Sequence, residues 1–293
     1  MDFESSELSN HYNRWEHKII FESSQMPLCN KSISALEVLK AHFLICDYFY
    51  QNDGDIGGLG PRDINLLLSA VSRQFTSFNG VERHKTDYER CATLFFGLIK
   101  NHPFHDGNKR TAFLIAIYQL WKIGRLPDEK HKKFETLAVR TAEGKLKEYS
   151  RFGDLSKKKK HDNPEVKFLA HFFKKNTRSK DKSMYLLTYR QLDNKLRNYS
   201  FKLDHQDRNF IHVVRINEKR KLLKTKKVEQ KIYKIGFPGW SKEVAKSVMN
   251  KVLKETKLNA QYGYDSKVFF HDTEPLPALI SLYHGILMKL KNK

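Results

Sequence analysis

The spacing of apolar residues predicts that the first half of the chain is helical. After Ser34, apolar residues recur three or four positions apart, and Glu37 completes a capping box with Ser34. Another helix is predicted over residues 61–72, and a third carries Cys91, Leu94 and Leu98 on one face. Residues 112–121 are apolar on nearly all sides, which is typical of a central buried helix. The pattern therefore predicts a first domain that is all-α or nearly so.

The apolar period changes in the second half of the chain. Residues 189–197 have helical spacing, residues 199–203 alternate as a strand, and 210–216 and 231–237 are predicted as two further strands. After a Pro-Gly turn, Ser241 is predicted as the N-cap of a helix that carries Val244 and Val252 on its apolar side. Residues 272–290 are predicted as another packing helix. The fold class predicted for the whole chain is mainly α, with a smaller α+β domain at the end.

Composition places the boundary between these domains. Residues 174–182 are polar and basic and offer no apolar anchor, so a linker is expected there. We predict a first domain over residues 1–176, including an N-terminal arm, a basic linker over 177–184, and a basic α+β domain over 185–293. Three cysteines without Cys-x-x-Cys spacing suggest a reducing compartment. No signal peptide or membrane span is recognised, so a cytoplasmic location is expected.

The chain is strongly basic. It has 54 Lys and Arg against 33 Asp and Glu, which gives a formal net charge of +21. Such a balance favours an anionic partner, and RNA, DNA or a ribosomal surface are the first candidates. Residues 219–227 carry much of this charge. They are interpreted either as a solvated loop or as a basic arm that binds nucleic acid.

Residues 102–113 read His-Pro-Phe-His-Asp-Gly-Asn-Lys-Arg-Thr-Ala-Phe and contain the most specific chemistry of the chain. His102 is a candidate base near neutral pH, and Asp106 is a hard oxygen donor suited to Mg²⁺ beside nucleotide phosphates. The next residues are predicted to begin a helix whose free N–H groups favour an anion. Lys109 and Arg110 add two cations at the same place. This order of groups indicates phosphoryl or nucleotidyl transfer.

The motif resembles that of the Fic/Doc family and is closer to its death-on-curing (Doc) branch. Lys109 stands where members that transfer AMP have Gly, and Phe113 stands where they have a second Arg. The similarity extends over roughly residues 33–176. It implies an all-helical domain with a small flap hairpin.

The resemblance implies a role for each motif residue. His102 would be the general base, Phe104 would anchor the loop, and Asp106 would hold Mg²⁺. The phosphates of ATP or another nucleoside triphosphate would be bound by Gly107, Asn108, Lys109 and Arg110. The segment with Phe75, Thr76 and Ser77, before the turn Asn79-Gly80, would be the flap that pairs with an extended protein target. From the residues alone, it is equally well an ordinary hairpin.

The resemblance implies a toxin that transfers the γ-phosphate of a nucleotide to a protein hydroxyl. Elongation factor Tu is the target that the family suggests, and AMP transfer to a protein hydroxyl is the alternative. A second alternative is a nucleic-acid-binding protein with an inactive loop. Glu143-Gly144 does not fit the inhibitory motif of Fic relatives, because Val139 precedes it by four residues. A separate antitoxin is therefore expected.

The second domain is similar in element order to HicA-like and double-stranded-RNA-binding folds. The resemblance is weak, since Asn209 stands near the place of the HicA active-site His, with His212 three residues later.

Overall fold

A computed structural model describes residue 3 and residues 5–23, 31–53, 58–128, 132–156, 163–179, 186–221, 224–258 and 275–291. The side chains of residues 51–53 and 218–227 lie outside this description. The chain divides into two compact units. The first comprises Met1–Asp181 with Tyr283–Lys293, and the second comprises Lys182–Leu282.

The first unit is built from helices with small hairpins, which confirms the predicted fold class. Its helices are α1 (Ser6–Glu22), α2 (Ala35–Asp53), α3 (Ile64–Ser72), α4 (Asp87–Asn101), α5 (Asn108–Lys122), α6 (Lys132–Ala142), α7 (Ser150–Ser156), α8 (Pro164–Lys175) and, from the end of the chain, α12 (His284–Lys291). Short 3-10 turns cover Arg73–Phe75 and Lys145–Glu148. The strands are β1 (Ser77–Phe78), β2 (Val81–Glu82), β3 (Arg125–Pro127) and β4 (Thr177–Ser179), paired antiparallel as β1 with β2 and β3 with β4.

Helix α5 lies at the centre of this unit, as its nearly continuous apolar sequence predicted. It packs against α2, α4, α6 and α12. Its residues from Thr111 to Ile117 are all buried, which removes most of their apolar surface from water. Two capping boxes fix neighbouring helix starts. Ser34 and Glu37 bond to each other's backbone N–H before α2, and Thr86 and Glu89 do so before α4.

The second unit has the predicted order of helix, three strands and helix. Helix α9 (Tyr189–Arg197) precedes strands β5 (Phe201–Asp207), β6 (Phe210–Lys221) and β7 (Lys224–Gly236), which form an antiparallel sheet in the order β5-β6-β7. Helices α10 (Lys246–Glu255) and α11 (Leu276–Leu282) follow. One core joins α9, the sheet and α10: Leu187, Tyr189, Leu192, Leu196, Phe201, Leu203, Ile211, Val213, Ile235, Phe237, Val244, Met249, Val252 and Leu253.

The domain boundaries differ from the predicted ones. Residues 177–179 of the predicted linker form β4, in which Arg178 pairs with Leu126, while residues 180–184 lie outside the described part of the chain. Residues 283–291 were predicted in the second domain but belong to the first unit. There Tyr283 packs edge-on against Phe113 with ring centroids 5.6 Å apart.

Two element predictions in the second half are corrected. Ser241 is not an N-cap, because Glu243 forms a β-bridge with Thr188 and the N–H of Val244 donates to Leu187 O, so α10 starts only at Lys246. The predicted helix over 272–290 is two helices, α11 and α12, and residues 272–274 lie outside the described chain.

The basic run 219–227 is not a loop throughout, because β6 and β7 extend into it from both sides.

Candidate active site

The motif loop connects α4 to α5, where the two central helices meet. Helix α4 ends at Asn101, and His102 follows in the left-handed region with φ 48° and ψ 57°. Gly107 also has a positive φ, 71°, directly before α5. A left-handed conformation is uncommon for a residue with a side chain, although His adopts it more often than most, and such backbone conformations are concentrated at functional sites. Backbone contacts of the loop with a neighbouring segment accompany this conformation of His102.

Backbone pairing with the segment before α3 holds the loop in this shape. Pro61 forms an antiparallel bridge with Phe104, and the N–H of Arg62 donates to Pro103 O at 2.7 Å. Gly60 permits the approach of this segment to α1. It has a φ of 79°, and a Cβ there would lie 2.7 Å from Nε1 of Trp15.

Phe104 lies inside the domain below the loop. It is 1% exposed and stacks on the buried ring of His42, with centroids 3.9 Å apart. The side chain of Asn108 receives the N–H of Phe104 at its Oδ1 and donates from its Nδ2 to Phe104 O, both at 2.9 Å. The side-chain amide of Asn108 thus closes the loop, and its backbone N–H is among the N–H groups at the start of α5 that have no acceptor within the helix.

Asp106 and Arg110 form an ion pair at the first turn of α5. Nη2 of Arg110 donates to Oδ2 of Asp106 at 2.8 Å, and the N–H of Gly107 donates to Oδ1. The Arg110 side chain is buried, and its Nε has no hydrogen-bond partner among the described residues. An unsatisfied buried donor on a guanidinium costs free energy, which an anionic oxygen would recover.

The donor set suits a magnesium ion that is shared with a nucleotide. Mg²⁺ is commonly held by one or two carboxylates plus phosphate oxygens and water. Asp106 offers one carboxylate, and its side chain is 46% exposed, so it is accessible from solvent. Asp106 would hold the metal, and Arg110, which is paired with Asp106, would lie beside it.

His102 is exposed and surrounded by positive charge. Partial burial, followed by the charges of Arg62, Lys109 and Lys100, holds the pKa of its imidazole below the usual 6.5. The ring is therefore neutral at physiological pH and able to accept a proton. The same cations provide an electrostatic environment that favours an anion beside it.

The pH dependence of activity follows from this lowered pKa. A histidine base works in its neutral form, so kcat/KM should fall only when the pH drops through the lowered pKa, with a midpoint below 6.5. Replacing Arg62→Gln removes the largest repelling charge and should move the acidic limb up toward 6.5. Lys147→Gln, an exposed charge outside this group, should leave the limb unchanged. Equal profiles for wild type and Arg62→Gln would contradict this assignment.

Two residues of the site were missed from the sequence. His42 lies in α2, where the pattern indicated only an apolar face. Burial, with the charge of Arg110, lowers its pKa to about 3, so it is a neutral support for Phe104. Its Nδ1 lies 3.1 Å from Oγ1 of Thr111 in α5. Arg62 belonged to the segment that carried the family resemblance, but its position beside His102 depends on the bridge between Pro61 and Phe104.

The predicted flap is a hairpin. Asn79 and Gly80 both have positive φ, 49° and 75°, as a two-residue hairpin turn of this sequence requires. Its first strand starts only at Ser77, because Phe75 belongs to a 3-10 turn and Thr76 follows it. Nη2 of Arg73 donates to Oδ1 of Asn101 at 3.3 Å, which ties the start of the hairpin segment to the residue before His102.

The first unit is thus an α-helical domain that carries His102, a carboxylate–guanidinium pair and a helix start on one loop. Residues 32–120 match the family model described as Fic/DOC family, so this part of the chain is a Fic/DOC family domain, and the predicted resemblance is confirmed. Members of this family are typically transferases of nucleoside monophosphate or phosphate to proteins.

Two kinds of relative are similar to this domain. Toxin Doc of Mycolicibacterium smegmatis is 40% identical over 60 residues, which are 20% of this chain and 46% of that protein. Protein adenylyltransferase Fic of Drosophila ananassae is 29% identical over 111 residues, 36% of this chain and 22% of that protein, and the Drosophila melanogaster protein has the same figures. The chain thus spans less than half of these relatives.

No solved structure gives a significant match, so the HicA-like resemblance stays a prediction. Within the described residues, no helix is long and apolar enough to cross a membrane.

Proposed function

We propose that this domain transfers the γ-phosphate of ATP, or of another nucleoside triphosphate, to a hydroxyl group of a protein. The observation that carries the proposal is the arrangement of His102, Lys109 and the Asp106–Arg110 pair on one loop. The neutral imidazole of His102 borders the charges of Arg62, Lys109 and Lys100. Arg110 on the same loop has a buried Nε without a hydrogen-bond partner among the described residues. Similarity to a Doc toxin supports it.

The reaction would proceed by positioning and charge stabilisation. A target hydroxyl would donate its proton to the imidazole of His102 as its oxygen forms a bond to the γ-phosphorus. The bond from that phosphorus to the β,γ-bridging oxygen would break, and ADP would leave. Lys109, Arg110 and the N–H groups at the start of α5 would stabilise the negative charge on the phosphates. Mg²⁺ held by Asp106 would supply further charge neutralisation when bound.

Two features favour phosphate transfer over AMP transfer. Lys109 replaces the Gly that lets the backbone approach a phosphate closely, and its ammonium occupies that space instead. Phe113 replaces the second Arg, and it is buried in the domain core against Tyr283. The bidentate clamp that such an Arg would provide for a triphosphate is therefore missing from this position.

The nucleotide product tests this proposal. Incubation of the purified chain with ATP, Mg²⁺ and a cell extract should release ADP, resolved by chromatography, in proportion to target modification. Release of pyrophosphate in its place would show AMP transfer. A preparation of the same chain with Asp106→Asn serves as the control, because it should lose Mg²⁺-dependent turnover.

Exchange of Lys109 tests the choice between the two reactions within one protein. Lys109→Gly should lower γ-phosphate transfer roughly 10- to 100-fold, since a hydrogen bond to a charged group contributes about 1.5–3 kcal/mol. It should also raise the α-to-γ ratio of label on the target. Lys109→Gln keeps a polar side chain without the charge, so it separates the loss of charge from the gain of backbone space. An unchanged rate and ratio in both variants would contradict a phosphate contact for Lys109.

The expected partners follow from the same proposal. We propose that the target is a protein of the translation machinery, such as elongation factor Tu, that an antitoxin neutralises the chain, and that the protein acts in the cytoplasm. The hairpin with Phe75, Thr76 and Ser77 would receive an extended target segment by strand addition. Its exposure supports this role: Phe78 is 80% and Val81 is 61% exposed.

The sheet of the second unit supports a second activity, binding of duplex nucleic acid. Strand β5 pairs with β6 only as far as Arg215, whereas β6 and β7 continue in register to the pair Lys221↔Lys224. The extension is thus a two-stranded ribbon, and the sequence places six Lys and Arg on it: Lys219, Arg220, Lys221, Lys224, Lys226 and Lys227. A two-stranded ribbon fits the major groove of DNA, and cations on it would contact phosphates.

The salt dependence of DNA binding tests whether the ribbon contacts phosphates. If about six phosphates are contacted, the affinity for duplex DNA should fall on the order of 10³-fold between about 50 and 200 mM salt. Lys219→Gln with Lys226→Gln, a cross-strand pair, should lower the slope of log affinity against log salt by about 2. Lys251→Gln with Lys254→Gln on α10 makes the same charge change elsewhere and should leave the slope as in wild type. Fluorescence anisotropy measures the DNA affinity of the wild type and of both double variants at each salt concentration. Binding that is unaffected by the ribbon variant would refute this role.

A further inference from the structure

A cavity among the described residues lies outside the motif loop. Its volume is about 900 Å³, and its walls are α6, α7, α8 and the turn before α7, all within the first unit. This volume is in the range of pockets that enclose small organic ligands and cofactors. Neither the catalytic proposal nor the family match at residues 32–120 includes these elements.

The cavity wall is strongly cationic. Its charged residues are Lys132, Lys133, Arg140, Arg151 and Lys175, together with His171, and no Asp or Glu is among the described residues that line it. Lys132 and Lys175 form no ion pair with any described carboxylate. Arg151 and Arg140 have exposed partners outside the wall, Asp154 at 3.0 Å and Glu148 at 3.8 Å. Exposed ion pairs of this kind contribute little free energy, so a better anion displaces them readily.

The positive charge of this wall is only partly neutralised by neighbouring carboxylates. The pKa of His171 is lowered, first by burial and then by the charges of Arg151, Lys175 and Lys174. Concentrating like charges around a concave surface destabilises the folded chain unless an anion binds. The cation cluster therefore has the electrostatics of a phosphate site.

The inner surface of the cavity is aromatic. Tyr149 and Phe168 lie with ring centroids 4.9 Å apart, and Phe172 continues this surface behind them. The guanidinium of Arg140 lies 4.7 Å above the ring of Tyr149. Flat rings and a guanidinium plane are surfaces on which nucleobases stack, and such stacking contributes about 1–3 kcal/mol per base. Inorganic phosphate or a polyanion without rings would leave this surface unused.

We propose that this cavity is a second nucleotide site, which takes a nucleotide with its phosphates toward Lys132, Arg151 and Lys175 and its base toward Tyr149. The inference does not depend on the proposed catalysis. It concerns α6 to α8, whereas the catalytic loop lies between α4 and α5.

Photolabelling of the full chain with 8-azido-ATP and peptide mapping tests the site. Label is expected on peptides that contain Tyr149 or Phe168–Asn176, in addition to any label on the motif loop. Arg151→Glu with Lys175→Glu should weaken labelling of these peptides at least tenfold and leave the motif-loop label unchanged. The control Lys251→Glu with Lys254→Glu carries the same charge change on α10 and should label like wild type.

The outcomes separate this site from the catalytic proposal. Label confined to the motif loop would overturn the second site and still support nucleotide binding at the catalytic loop. The absence of any label would also overturn the second site. Competition by an acidic peptide but not by excess ATP would assign the cavity to a protein partner and also overturn it. If the charge-reversal variant fails to fold by circular dichroism, the neutral variant Lys132→Gln with Lys175→Gln is used, with the same loss expected at these exposed positions.

Discussion

His102→Ala should lower the rate of γ-phosphate transfer roughly 10²- to 10⁴-fold, which is the usual contribution of a general base. His102 is the exposed imidazole of the motif that partial burial and three cations keep neutral. Its removal leaves the target hydroxyl without a proton acceptor, whereas the phosphate-binding groups of α5 remain. The loss should therefore appear in kcat, with the KM for ATP little changed. Steady-state kinetics with a labelled target measures both quantities.

The control must account for the unusual backbone at this position. His102 has a left-handed φ of 48°, which Asn tolerates better than Ala, so His102→Asn removes the base with less conformational cost. The two variants should lose activity equally. His105→Ala removes a neighbouring exposed imidazole and should keep wild-type activity. If His102→Asn transferred phosphate at the wild-type rate, His102 would not be the base.

Phe104→Ala should destabilise the first unit by about 3–5 kcal/mol, the usual cost of removing a buried phenyl ring. Its ring is 1% exposed and stacked on His42. The side chain of Asn108 fixes the backbone of Phe104, so the loop cannot easily move to fill the space left by the ring. The loss combines the burial of apolar surface with the cavity left behind. Chemical denaturation gives the free energy of unfolding for comparison with wild type.

The matched control for this variant is Phe78→Ala. Phe78 is 80% exposed at the tip of the hairpin, so its removal should change the free energy of unfolding by no more than about 0.5 kcal/mol. A Phe104→Ala protein as stable as Phe78→Ala would show that Phe104 does not anchor the loop.

The sequence predicted the helices around the site because their signals are local. The capping box at Ser34 and the apolar run of α5 each lie within one element, and the motif residues are contiguous. What it could not predict is the support that comes from distant segments. His42 contacts Phe104 only once α2 packs on α5. The position of Arg62 depends on backbone pairing, which cannot be predicted from the spacing of side chains.

The second unit shows the same limit in its boundaries. Apolar periodicity predicted α9 correctly, yet it could not show that β6 and β7 continue through a basic segment, since backbone pairing continues without apolar alternation. Nor could apolar periodicity show to which of the two units α12 belongs. Leu287 and Leu290 are buried in the first unit, but their spacing would suit a core in either unit. The aromatic cavity of α6 to α8 could likewise not be predicted from the sequence, because its cations come from separate elements.

The most direct test of the central claim is the position of the phosphate that reaches the target. Purified protein with Mg²⁺ is incubated with bacterial lysate and either γ-labelled or α-labelled ATP, and His102→Ala is run beside it. We expect a labelled protein band from γ-labelled ATP only, absent from the His102→Ala reaction. Label from α-labelled ATP that depends on His102 would contradict phosphate transfer and show that the domain is an AMP transferase.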